Sequence, residues 1–234
     1  MSGIFEQFID LIFPPRCIIC KSKSLKIVCE ACGSKIKYIK PPICRICGKP
    51  KDRFFKDDLC DDCCHENVPF VMARSAAFYE GPIKDAIHKF KFNGRTRLLS
   101  FLGRLMVAYL ENGDIRSGTI DLVVPVPLSK NREKQRGYNQ SKLLAEEIAK
   151  HFSIKIDDVS LKKIKDVTPQ FELAREQRLT HVKGAFESAP VAGHNILLVD
   201  DIYTTGATAK EASRALRSAG AKKVSVLTLA RAIA

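Results

Sequence analysis

The thirteen residues from Ile196 to Thr208, Ile-Leu-Leu-Val-Asp-Asp-Ile-Tyr-Thr-Thr-Gly-Ala-Thr, constrain this chain more than any other stretch. Four consecutive branched aliphatics are the pattern of a parallel strand covered on both faces, and Ala209 to Ser218 reads as the helix that follows. A turn entering a helix leaves several backbone N–H groups without intrahelical partners, so Thr204, Thr205, Gly206, Ala207 and Thr208 can converge on a phosphate. Gly206 permits a close backbone approach, and the threonine hydroxyls add donors. Asp200 and Asp201, at the carboxyl end of the strand, can accept hydrogen bonds from sugar hydroxyls or bind a hydrated Mg2+.

The second constraint is cysteine spacing. Cys17-x2-Cys20 with Cys29-x2-Cys32 and Cys44-x2-Cys47 with Cys60-x2-Cys63 form two blocks of four soft ligands, each able to close a tetrahedron of thiolates. Two structural Zn2+ ions are expected, with Fe2+ in a four-thiolate site as the alternative. Pairing within each block closes shorter loops than interleaved pairing, although spacing leaves both open. Four sulfurs leave no coordination position for substrate, so these centres are structural or recognition elements. Little else in the segment is apolar, so metal is expected to supply its folding energy. Cys64 and His65 are left over, with Cys64 read as a spare thiol beside the site.

The chain has 234 residues and a formal charge of +13, which points to an anionic partner, polyphosphate or nucleic acid. Eight zinc-bound thiolates would lower that charge by about four units and leave the chain basic. No stretch approaches the ~18 apolar residues of a membrane span, and the start lacks a basic secretory n-region. A cytoplasmic protein is expected, in which regular cysteines hold metal rather than form disulfides.

Residues 4 to 13 read as an amphipathic helix ended by Pro14 and Pro15, docked on protein rather than lipid because its polar face carries no cations. Asn67-Val68-Pro69 marks a soft boundary between 1–66, the helix and cysteine segment, and 67–234, an α/β domain. In the latter, Ala73 to Tyr79 reads as an edge strand, Pro82 to Phe92 and Leu98 to Leu110 as helices, and Ile120 to Val126 as a buried strand. Lys89 to Arg95 interleaves aromatics with cations, which suits a nucleic-acid surface and equally the solvated end of an amphipathic helix. Ser129 to Gln140 reads as a basic loop whose Lys130, Arg132, Lys134 and Arg136 can neutralise pyrophosphate or DNA phosphates, ahead of a helix from Ser141 to Phe152. Ser160 to Lys165 reads as a short strand. Arg175 and Arg178, about one turn apart on an expected helix, together with Lys183 would line an anionic groove. Val224 to Ala230 is the last expected strand.

The thirteen-residue stretch resembles the signature of type I phosphoribosyltransferases. The order of the whole chain is similar to the ComF family of competence proteins, in its form with a double zinc ribbon before a phosphoribosyltransferase-type domain. The stretches that carry this are the cysteine blocks, Phe90 to Gly94, Pro125 to Leu128 with Arg136 to Gln140, and Thr168-Pro169-Gln170 through Arg178 to Gly184-Ala185-Phe186. The resemblance implies an α/β fold, a mostly parallel sheet flanked by helices, with a small N-terminal double zinc ribbon of four cysteines per metal. It implies that Asp200 and Asp201 orient a ribose, that the turn from Thr204 to Thr208 holds its 5-phosphate, and that Mg2+ accompanies phosphoribosyl pyrophosphate. It further implies handling of single-stranded DNA during natural transformation, with a helicase as a plausible partner; the oligomeric state is left open. Such enzymes carry a hood over the nucleobase where this sequence has a zinc module, so ligand binding is expected over turnover, and an active phosphoribosyltransferase is the alternative.

Overall fold

The computed structural model describes residues 14–51, 57–92, 94–165 and 183–233. The expected helix at residues 4–13, Thr168-Pro169-Gln170, and the groove arginines Arg175 and Arg178 lie outside these residues.

Two short helices, α1 (Glu30–Gly33) and α2 (Asp61–His65), belong to the cysteine segment. There follow β1 (Met72–Phe78), α3 (Gly81–Phe92), α4 (Leu99–Asn112), β2 (Leu122–Pro125), α5 (Lys130–Arg136) and α6 (Gln140–Phe152). The chain continues through β3 (Lys155–Ile156), β4 (Leu161–Lys163), β5 (Phe186–Ser188), β6 (Asn195–Tyr203), α7 (Ala207–Ser218) and β7 (Lys223–Arg231). Five strands form a parallel sheet in the order β1-β7-β6-β2-β3, and β4 and β5 make a separate antiparallel pair. The expected edge position of β1 holds. The segment from Ser129 to Gln140, expected as a loop, instead contains the helix α5 closed by Gly137 in the left-handed conformation at φ 81°. It has no apolar periodicity to reveal a helix, and its ends define it: a chain break in direction at Ser129 and a glycine stop.

The aliphatic run of β6 is central because neighbours cover both of its faces, and Ile196 to Val199 are buried at 0–1% exposure. Leu197 and Val199 face a cluster built with α3, α4 and α6, including Phe90, Met106, Leu144 and Ile148. Ile196 and Leu198 face a second cluster with Ala212 and Leu216 of α7, and with Leu161 and Phe186 of the small hairpin. Each such fully buried large side chain contributes about 2 kcal/mol.

The cysteine segment is packed into this core rather than appended to it. Cys17, Val28, Cys32 and Ile36 join the first cluster, while Cys44, Cys47, Cys60 and Cys63 join the second, so the two cysteine centres straddle β1 on opposite faces of the sheet. The edge of β1 is closed by the same segment. Ala73 N–H donates to the Ile46 carbonyl at 2.7 Å, Phe78 N–H to Lys37 at 2.9 Å, and Ile39 N–H to the Ala76 carbonyl at 3.1 Å. This is why β1 is buried throughout its middle rather than half-exposed. At Gly48, with φ at 70°, a Cβ would stand 2.6 Å from the Ala73 carbonyl oxygen, so the ribbon backbone lies directly on the strand.

A buried arginine fastens the contact. Arg74, 3% exposed on β1, donates through Nε to both carboxylate oxygens of Asp114 at 2.9 and 2.7 Å, through Nη1 to the Ala73 carbonyl, and through Nη2 to the Arg45 carbonyl at 3.0 Å. Burial pushes the Asp114 carboxyl upward, but the Arg74 bonds and charge outweigh it and hold it below its usual range. Replacing Arg74 with alanine leaves these buried acceptors unpaired; after discounting for the part-exposed Asp114, urea denaturation in zinc-replete buffer is expected to show a loss of about 2 kcal/mol.

Candidate ribose-phosphate site and zinc centres

The cysteines group as two sets, Cys17, Cys20, Cys29, Cys32 and Cys44, Cys47, Cys60, Cys63, with the sulfurs of each set all within 4.8 Å of one another. Pairing is therefore within blocks. The Sγ separations of 3.9 Å for Cys17–Cys32 and 3.6 Å for Cys20–Cys29 and Cys47–Cys60 match the edge of a tetrahedron with metal–sulfur bonds of about 2.3 Å. Cys29 N–H points at Cys17 Sγ at 3.4 Å and Cys60 N–H at Cys44 Sγ at 3.5 Å, donors that support thiolate sulfur. Four thiolates at this spacing repel one another, and a divalent cation among them offsets that charge. The residues fit Zn2+ in both places. Exposed Cys64 stands outside the sets.

β6 runs through both acids to Tyr203 and turns at Gly206 into α7. Gly206 adopts φ 79° as the residue preceding the helix, and a Cβ there would meet the Tyr203 ring, with Cζ at 2.6 Å. Glycine is required on both counts. Asp200 and the turn residues Thr204, Gly206 and Thr208 are among the residues that line a small hollow at the start of α7, whose first-turn amides have no intrahelical partners. Thr204 is exposed and Thr205 half-buried, its Oγ1 accepting from Ala207 N–H at 3.4 Å.

The two adjacent acids take different partners, both from helices packed on the same face of the sheet, and Asp201 N–H also donates to Asp200 Oδ1 at 2.9 Å. Asp200 lines the hollow and accepts from Ser141 Oγ of α6 at 2.9 Å. Asp201, 3% exposed, forms an ion pair with Lys91 of α3 at 2.7 Å. Burial, then the neighbouring charge of Asp201, pushes the Asp200 carboxyl up to about 7 against the opposing pull of Lys91 and Ser141. Sequence reasoning left Lys91 open between a nucleic-acid surface and the solvated end of a helix and did not connect it to Asp201; the signal available was its place inside Phe90 to Gly94. Phe90 is buried, and its carbonyl accepts the Tyr138 hydroxyl, fixing the end of α3 against the start of α6.

The four cations of α5 separate. Arg132 and Arg136 are one turn apart and half-buried, while Lys130 and Lys134, about 200° around the helix from their neighbours, are exposed. Arg136 is the cation beside the acids: burial lowers its pKa, Asp201 and Asp200 oppose that, and Arg132 adds like-charge repulsion. Its guanidinium donates to Gln140 Oε1 and stands 5.1 Å from the centre of the exposed Phe92 ring. Exposed Lys183 lies at the start of the segment leading to β5.

Comparison with known proteins agrees with this organisation. Residues 8–64 match the double zinc ribbon domain and residues 139–234 the phosphoribosyl transferase domain. The competence protein ComFC of Bacillus subtilis is 32% identical over 219 residues, covering 87% of this chain and 84% of its own. The chain belongs to the ComF family. Competence protein F of Haemophilus influenzae is 29% identical over 228 residues, 93% of this chain and 97% of its own, and the DNA utilization protein YhgH of Escherichia coli K12 is 29% identical over 209 residues, 88% and 91%. A purine phosphoribosyltransferase structure from Pyrococcus horikoshii overlaps 56% of this ComF-family chain and 74% of its own at TM-score 0.38 and 15% identity, too loosely to carry an argument. Among the described residues no helix is long and apolar enough to cross a membrane.

Elemental analysis of the purified protein is expected to give two zinc equivalents per chain, with both lost on full denaturation in chelator. The raised pKa of Asp200 has a defined sign. The folded chain keeps a proton that the unfolded chain loses near 3.8, so the contribution of Asp200 to stability falls as pH rises from about 4 to about 7 and is level above. Asp200→Asn removes that penalty, and its stability gain over wild type, read by denaturant titration, is expected to grow across the same window; a pH-independent gain would contradict the assigned shift.

Proposed function

We propose that this ComF-family protein binds a ribose-phosphate group at the β6–α7 turn and single-stranded DNA on the adjoining basic surface, acting in DNA uptake during natural transformation. The observation that carries the reading is that Asp200 and the turn residues Thr204, Gly206 and Thr208 line one hollow, which offers a carboxylate for sugar hydroxyls beside a helix N-terminus suited to a phosphate. Relatives named for competence and for DNA utilization supply the pathway. Phe92, 63% exposed and flanked by Arg136 and His88, offers a ring face on which a base can stack, and Arg132, Lys130 and Lys134 extend the cationic surface. Asp200 and Asp201 are the oxygen donors that would hold Mg2+ brought by phosphoribosyl pyrophosphate, where the ion would neutralise the pyrophosphate charge.

Transfer of the phosphoribosyl group to a nucleobase is the second reading. It is favoured by the place of Arg136, where a leaving pyrophosphate would be met beside the acids. Calorimetry with ribose 5-phosphate and with magnesium phosphoribosyl pyrophosphate tests the site: binding is expected in wild type and lost in Gly206→Ala and in the Asp200→Asn, Asp201→Asn double variant. Pyrophosphate release with a panel of nucleobases decides turnover. For DNA, oligonucleotide affinity is expected to fall as salt rises, with Arg132→Ala and Lys134→Ala each reducing the salt slope by about 1 and Phe92→Ala weakening binding about tenfold without changing the slope. Absence of oligonucleotide binding at low salt would overturn the DNA half of the proposal.

A further inference from the structure

The second cysteine centre and the phosphate-type turn are joined by two side chains that neither motif contains. Arg231, the last residue of β7 and 7% exposed, donates through Nη1 to the Cys47 carbonyl at 2.7 Å and through Nη2 to Cys47 Sγ at 3.7 Å. Its guanidinium lies 4.5 Å from the centre of the Tyr203 ring. Tyr203, the last residue of β6 and 4% exposed, is gripped from the backbone as well, since its carbonyl accepts Ala232 N–H at 2.9 Å. The hydroxyl end of that ring stands over Gly206: a Cβ there would meet the Tyr203 Oη first and Cζ at 2.6 Å.

The chemistry of each contact favours a fixed arrangement. Zn2+ with four thiolates carries a net charge of −2, so a buried guanidinium next to one sulfur is a compensating cation and a hydrogen-bond donor to the thiolate at once. A guanidinium buried to this degree has to keep its acceptors, and the Cys47 carbonyl and sulfur keep their places only while the knuckle is held by metal. The planar cation in turn orients the Tyr203 ring on its face. That ring leaves no room for a side chain at residue 206 and sets how close the turn can approach the sheet. A second tie parallels it: Glu66, just after α2, forms an ion pair with Lys210 in the first turns of α7.

We propose that Arg231 and Tyr203 are positioning residues that make the shape of the Thr204–Thr208 turn depend on zinc in the second ribbon. Metal in the Cys44, Cys47, Cys60, Cys63 centre holds Arg231, Arg231 holds the Tyr203 ring, and the ring holds Gly206 at the entrance to α7. The first ribbon, on the opposite face of the sheet, has no part in this path. The inference uses the ribose-phosphate reading only for its ligand consequence; the coupling itself concerns the turn.

The test uses full-length, zinc-loaded protein with three variants: Arg231→Lys, Tyr203→Leu and Tyr203→Phe. Zinc transfer to a chromogenic chelator is followed together with amide hydrogen exchange over residues 204–208. Arg231→Lys is expected to release one of the two zinc ions about tenfold faster and to accelerate exchange in the turn. Tyr203→Leu is expected to keep both zinc ions and still accelerate exchange, whereas Tyr203→Phe, which preserves the ring, restores protection. Fast zinc loss with an unchanged turn would overturn the coupling, as would a Tyr203→Leu turn as protected as wild type. If Arg231→Lys does not fold, the two Tyr203 variants and chelator-stripping of wild type decide the question alone. Ribose 5-phosphate affinity is measured in parallel: no binding in wild type would defeat the functional reading while the exchange data still judge the coupling.

Discussion

The open edge of β1 is the constraint on which the rest of this structure depends. A parallel sheet presents unpaired N–H and C=O groups at its outer strand, and here they are met by backbone from Lys37, Ile39 and Ile46 in the cysteine segment. That segment has too few apolar residues to hold a shape unaided, and four-thiolate centres supply the rigidity. One centre packs on each face of the sheet, so metal, edge strand and core form a single cooperative unit. Arg74 lies at its middle, bonded to the ribbon backbone on one side and to Asp114 at the end of α4 on the other.

At the carboxyl end of the same sheet, the physical problem is how to keep two acids side by side. Different partners separate them: Asp200 accepts from Ser141 of α6, and Asp201 pairs with Lys91 of α3. Arg136 approaches from α5 and lends a second positive charge without occupying either carboxylate's own partner. The result is a polar end to an otherwise aliphatic strand in which each charge has a counterpart from a different helix. α3, α5 and α6 therefore all have to be docked before the site has its final field.

What could be read in the sequence was what local chemistry dictates. The run Ile196 to Val199 admits little except a covered strand, Gly206 marks a backbone position that a Cβ would block, and C-x2-C spacing brings two sulfurs to one ion. What could not be read was set by distant partners. Arg74 and Arg231 look like ordinary strand cations until their acceptors arrive from residues about 30 and 184 positions away. The helix α5, Lys-Asn-Arg-Glu-Lys-Gln-Arg, has no apolar face to announce it, so its four cations read as one loop and its division into two faces was invisible. Lys91 was visible as a cation among aromatics, but the alternation that buries Phe90 and exposes Phe92 also aims Lys91 at Asp201, and that is a property of how α3 ends.

The Lys91–Asp201 pair places an internal counter-charge at the end of β6. An acid already satisfied by an ammonium at 2.7 Å attracts passing ions weakly, because an arriving group has to take the place of a bound partner rather than of water. On the proposed ribose-phosphate reading, a group reaching Asp201 would have to bring enough positive charge or hydroxyl donation to displace the lysine. A lysine displaced there would stand at the last turn of α3, a free cation beside the exposed ring of Phe92.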